Sequence, residues 1–151
     1  MKPRLVIGLG NPLMGDEGAG WYAVSRLAGD PRLPEDVETI WGGTDLLRYA
    51  GQIEGRSRVI LVDAIESAAP PGTVTVFEDC AELEERQTNA HELSAAQAMR
   101  LLQMMMPVRF TLLGVAIWSA TAGNALSPAV EARMPAILDR VLEELGWNSS
   151  K

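Results

Sequence analysis

The stretch Val6-Ile7-Gly8-Leu9-Gly10-Asn11-Pro12-Leu13-Met14-Gly15-Asp16-Glu17-Gly18-Ala19-Gly20 constrains this chain more than any other. Leu5 to Leu9 reads as a short buried strand, apolar and broken by glycine. A glycine-rich turn follows. It sets two acids side by side, Asp16 and Glu17, where a helix over Gly18–Ala28 should begin. Carboxylates at that spot repel anions, so the turn is not built as a phosphate cradle. They attract metal ions or protons instead.

The rest of the chain repeats the strand–helix alternation. Val37–Trp41 reads as a second strand ended by Gly42-Gly43, and Leu46–Ile53 as a helix with Leu46, Leu47, Ala50 and Ile53 inward. Arg58–Val62 is a continuous apolar strand ended by Asp63. Thr73–Phe77 alternates well enough for a fourth strand. Its link from Ala64 to Gly72 is shorter than a parallel crossover needs, so this strand is expected to be antiparallel or at an edge. Cys80–Gln87 is an acidic, exposed stretch, and Asn89–Met105 reads as a helix stopped before Pro107. Phe110–Trp118 is a long apolar strand, followed by a small-residue loop, Ser119–Asn124.

Ser127 and Pro128 suit the N-cap and first turn of a last helix. Val130, Met134, Ile137, Leu138, Val141, Leu142 and Leu145 form its apolar stripe, with a kink or restart expected at Pro135. The pattern predicts an α/β sandwich with helices on both faces of a mostly parallel sheet. In such sheets ligands sit beyond the carboxyl ends of the strands. The Gly10–Glu17 loop, Asp63 and the loop after Trp118 all meet that rule.

With 151 residues the chain can build one domain, 1–151, around a full core. Acids outnumber bases by 20 to 13, for a net charge of −7, which disfavours nucleic acid and anionic membrane as partners. The single cysteine, Cys80, allows no internal disulfide, and the N-terminus lacks a secretory pattern. No apolar stretch reaches membrane-spanning length. These features are those of a soluble cytoplasmic globule.

Familiar motifs fail one by one. A dinucleotide fingerprint needs a third glycine where Leu13 stands, and no Gly-Lys-Ser or Gly-Lys-Thr marks a nucleoside triphosphate loop. His91-Glu92-Leu93-Ser94-Ala95 lacks the second histidine of a zinc protease, and there is no Gly-x-Ser-x-Gly elbow. Carboxylates around Cys80 disfavour its thiolate, which makes it an inert thiol. Met104-Met105-Met106 reads as core filling at a helix end, with an adaptable partner surface as the alternative.

The acids have plain structural readings as well. Acids in a first helical turn are favoured by the helix dipole, and an Asp at a strand end is a common turn cap. His91, the only histidine, lies between Asn89 and Glu92 in a capping-box pattern. Its plain reading is a polar surface histidine near a helix start; placed in the first turn of a helix it stays neutral, the form that binds metal. Glu17, Asp63 and His91 together make a set of one nitrogen and two carboxylates. Such a set leaves coordination positions open and suits Zn²⁺, Ni²⁺ or a similar ion.

The chain resembles the endopeptidases that mature nickel–iron hydrogenases, over nearly its whole length. The resemblance is carried by Gly8-Leu9-Gly10-Asn11 with Asp16-Glu17, the Gly42-Gly43-Thr44 turn, Val62-Asp63-Ala64 and the His91 helix start, in the family's order and spacing. It implies a three-layer α/β/α sandwich around a twisted five-stranded sheet of the phosphorylase/hydrolase-like type. It also implies removal of a C-terminal extension from the hydrogenase large-subunit precursor after nickel insertion, by an enzyme often grouped with aspartic peptidases.

The family's nickel-binding Glu, Asp and His fall on Glu17, Asp63 and His91, and Asp16 matches a further recurring residue with a supporting role. These four form the expected catalytic set. The nickel is expected to be transient and brought by the precursor, with no organic cofactor, and the protein is expected to be a monomer.

Two other readings start from the same residues. Gly8-Leu9-Gly10-Asn11-Pro12 also resembles bacterial peptidyl-tRNA hydrolases, but Gly18–Arg26 lacks their histidine. A noncatalytic nickel-sensing chaperone would use the same three ligands.

Overall fold

A computed structural model of the chain describes residues 1–79, 90–118 and 123–148, with backbone alone for 90–94. The strands are β1 (Arg4–Gly8), β2 (Val37–Trp41), β3 (Arg58–Glu66), β4 (Val74–Phe77) and β5 (Arg109–Ile117). The α-helices are α1 (Ala19–Leu27), α2 (Ala50–Ile53), α3 (Ala90–Met105) and α4 (Pro128–Glu144). Short 3-10 turns, Gly15–Gly18 and Leu46–Tyr49, lead into α1 and α2.

One five-stranded sheet runs in the order β2-β1-β3-β5-β4. The first four are parallel, and β4 lies antiparallel at the edge beside β5. The link between β3 and β4, residues 67–73, is even shorter than the Ala64–Gly72 link read from the sequence, and β4 is antiparallel and at the edge as expected.

Alternation along each strand sorts the core into two faces. Val6, Ile60, Val62, Leu113 and Val115 face α1 and α4. Leu5, Ile7, Leu61, Phe110 and Leu112 face α3 and the Leu46–Ile53 segment. The result is the expected α/β/α sandwich around a mostly parallel sheet. Each Leu, Ile or Val sealed in these layers contributes ~1.5–3 kcal/mol by leaving water. Among the described residues no helix is long and apolar enough to cross a membrane.

Four local expectations are corrected. Asp63 does not end β3. Pairing with β1 stops at Gly8↔Val62, but pairing with β5 continues to Glu66↔Ile117. Pro135 does not restart the last helix, which runs unbroken from Pro128 to Glu144. Pro135 sits on the exposed face, where water reaches the Glu131 carbonyl that its ring deprives of a donor.

Met104 and Met105 are 78% and 62% exposed rather than core, because the inward stripe of α3 runs through Ala98, Met99 and Leu102. Leu47, expected inward, is 41% exposed. Cys80, the acidic stretch Cys80–Gln87, Asn89 and most of the loop after Trp118 lie outside the described residues.

Candidate active site

The strand order reverses direction at β1, with β2 on one side and β3 on the other. That is a topological switch point, and the crevice beyond its carboxyl edge is where α/β sheets bind ligands. The two acid-bearing segments meet there. The Glu17 turn leaves β1, and Asp63 lies one residue past the last β1–β3 pair.

Glycine allows this approach. Gly20, in the first turn of α1, lies so close to β3 that a Cβ would strike the Val62 carbonyl oxygen. Gly10 has φ 119°, and its Cβ would run into the Glu17 carbonyl. The 3-10 turn Gly15–Gly18 therefore packs directly on β3. The Gly42-Gly43 turn braces the chain as it leaves β1, with Gly42 N–H donating to the Gly8 carbonyl at 2.8 Å and Gly10 N–H to the Gly43 carbonyl at 3.1 Å.

Asp16 and Glu17 have different surroundings. The Asp16 carboxylate accepts from the backbone N–H and the hydroxyl of Ser127, each at 2.7 Å. Both its oxygens are thereby tied to the start of α4. The Glu17 backbone N–H donates to the Met14 carbonyl at 3.2 Å, and its side chain is half-buried at the turn. Asp16 is thus anchored in the framework, while Glu17 is held by its backbone.

Asp63 is 3% exposed, and its Oδ1 accepts the Ala64 N–H at 2.9 Å. Strand alternation puts it with Val59 and Leu61 on the α3 face of the sheet. There it borders a cleft of about 250 Å³ between α3 and the Leu46–Tyr49 turn, beside Thr44 and Ala95. Glu17 does not line this cleft.

The backbone of His91 lies in the first turn of α3, one turn before Ala95. Its side chain lies outside the described residues, as does the Asn89 capping partner. Among the described residues no three His, Cys, Asp or Glu side chains gather as a metal cluster. The described arrangement therefore brings the Glu17 turn, Asp63 and the start of α3 to the carboxyl end of the sheet.

Sequence reasoning missed the tie from Asp16 to Ser127 and the place of Leu47 at the cleft mouth. Ser127 announces itself only as a helix cap, and nothing local couples it to a residue 111 positions away. Leu47 fits a helical apolar pattern, but the segment starts as a 3-10 turn and rotates it outward.

Residues 21–144 match the family model of the hydrogenase maturation proteases. The hydrogenase 2 maturation protease of Escherichia coli (strain K12) is 34% identical over 146 residues, covering 93% of this chain and 89% of that protein. The solved structure of the hydrogenase maturating endopeptidase HybD from E. coli superposes with a TM-score of 0.81 at 34% identity, covering 94% of this chain and 91% of that one. The [NiFe] hydrogenase maturation protease HybD from Thermococcus kodakarensis superposes with a TM-score of 0.77 at 28% identity, over 94% and 97%. With this fold, and with matches of this extent, the chain belongs to the hydrogenase maturation protease family and is a peptidase of hydrogenase maturation.

Proposed function

We propose that this peptidase removes the C-terminal extension of a nickel–iron hydrogenase large-subunit precursor once nickel has been inserted. The observation that carries this reading is the placement of Asp63. It is a buried carboxylate bordering a cleft at the switch point, on the strand against which the Glu17 turn packs. The first turn of α3, with position 91, stands at the same end of the sheet.

In this reading nickel arrives as part of the substrate. Two carboxylates and one imidazole suit a first-row divalent ion and leave coordination positions for groups of the precursor. Glu17, Asp63 and His91 engage the metal only when it is present, so binding reports completed insertion. The same contact fixes the scissile peptide against the crevice, which lowers the entropic cost of reaction.

Hydrolysis then needs a water oxygen to attack the peptide carbonyl carbon. A carboxylate of the site takes the water proton and returns it to the departing amide nitrogen as the C–N bond breaks. Asp16 supports the site through Ser127 rather than by contact with substrate.

The test is cleavage of nickel-loaded precursor by Glu17→Gln, Asp63→Asn and His91→Gln, with thermal unfolding followed in parallel. Each variant is expected to keep its melting temperature and lose processing. A variant that folds and cleaves at the wild-type rate removes that residue from the site.

A further inference from the structure

We propose that the cleft beside Asp63 is a subsite for one aliphatic side chain of the substrate polypeptide, adjoining the scissile bond. The inference rests on the protease reading above and adds what the enzyme recognises besides metal.

The cleft has an apolar floor and an open apolar mouth. Leu9 and Leu46 are 2% and 3% exposed and form its inner wall. Leu47 and Leu101 stand at its rim, 41% and 44% exposed. The α3 wall carries alanines, Ala95 and Ala98, where larger side chains would fill the space. A peptidase that leaves two leucines half in water around a hollow next to its buried carboxylate presents surface that an incoming apolar group can cover.

The lining argues for an aliphatic occupant. Six of the ten residues around the cleft are leucine or alanine, so an aliphatic side chain gains the most contact there. Asp45 and Asp63 are fixed at its border by the N–H groups of Leu47 at 3.1 Å and Ala64 at 2.9 Å. The cleft holds a volume of about 250 Å³, sized for a side chain rather than a folded segment. Its position beside Asp63 puts the occupant next to the peptide bond to be cut.

The experiment measures steady-state cleavage of the nickel-loaded large-subunit precursor of the same organism by wild type, Ala95→Leu and Leu47→Ser. Ala95→Leu fills the cleft, and Leu47→Ser strips its rim at an exposed position where folding is not at stake. Both are expected to raise KM by about tenfold or more, with a smaller change in kcat, as loss of an apolar contact made equally in ground and transition states requires. Replacing each precursor residue flanking the cut by Ala should find one position whose KM penalty does not add to that of Leu47→Ser.

Unchanged KM in both enzyme variants overturns the subsite. So does a flanking position at which Lys restores binding better than Leu. Wild type and Glu17→Gln in the same assay report separately on the underlying function. If wild type leaves the precursor intact, the processing reading fails and the subsite falls with it. If wild type cuts and only the subsite variants behave as wild type, the subsite alone fails.

Discussion

The Asp16 carboxylate grips Ser127 twice, through its backbone N–H and its hydroxyl, both at 2.7 Å. Ser127 is at the same time the N-cap of α4, accepting the Val130 N–H at 3.4 Å. The residue next to the proposed ligand Glu17 is thus tied to the start of the last helix. Nearby bonds strengthen the tie. Gly15 N–H donates to the Gly123 carbonyl at 2.8 Å, and the single O–H of Tyr22 has two carbonyl acceptors within reach, Asn124 at 2.8 Å and Pro12 at 2.9 Å.

Ser127→Ala should therefore cost more than an ordinary cap. It loses the cap bond and a charge-assisted hydroxyl bond, together ~1–3 kcal/mol. Urea unfolding of Ser127→Ala, Asp16→Ala and the double variant is expected to show strong coupling, with the double variant little worse than either single one. The singles should also lower kcat of precursor cleavage, because the Glu17 turn loses its anchor. Additive stability losses with unchanged kcat would show that the tie does not position the turn.

Gly20→Ala should damage fold and activity together. The new methyl group would strike the Val62 carbonyl and crowd the Leu9 carbonyl. Overpacking of this kind costs ~1–3 kcal/mol, and relief can come only by moving α1 and the Glu17 turn away from β3. The expected result is a lower urea midpoint with unchanged slope, and reduced cleavage by the fraction that remains folded.

Stability should fall in acid partly through Asp30. Hydrogen bonds from the Arg32 side chain and backbone hold its carboxyl below the usual carboxylate range. Arg32 in turn reaches Asp139 on α4 at 2.8 Å and lies over the Trp147 ring, 4.8 Å from its centroid. A depressed folded pKa gives stability that is present above the unfolded value, ~3.9, and lost as pH falls through the folded value. Asp30→Asn is expected to melt below wild type at pH 7, with the gap closing as pH falls below about 4. A gap that persists in stronger acid would assign the effect to something other than this charge.

The layers of the fold were legible because buried strands are continuous apolar runs and helices carry a 3.6-residue stripe. Arg58–Val62 and Phe110–Trp118 announce central strands, and Ser127-Pro128 announces a helix start. Non-local choices were not legible. Nothing near Asp63 tells that β3 goes on pairing with β5 after β1 has ended. The sequence flags Pro135 as a break but not that its carbonyl partner faces water. For the candidate site the sequence offers residue types in order, through the resemblance. The cleft was not legible, since it is made by Leu47 turning outward and by alanines meeting it from another segment.

The central claim is that this peptidase reads nickel in its substrate. The direct measurement is intact mass of large-subunit precursor after incubation with wild-type protein, with nickel inserted or absent in otherwise identical samples. The account predicts loss of the C-terminal extension from the nickel-loaded sample alone. Equal cleavage of both samples, or a nickel-loaded precursor left full-length, would contradict it.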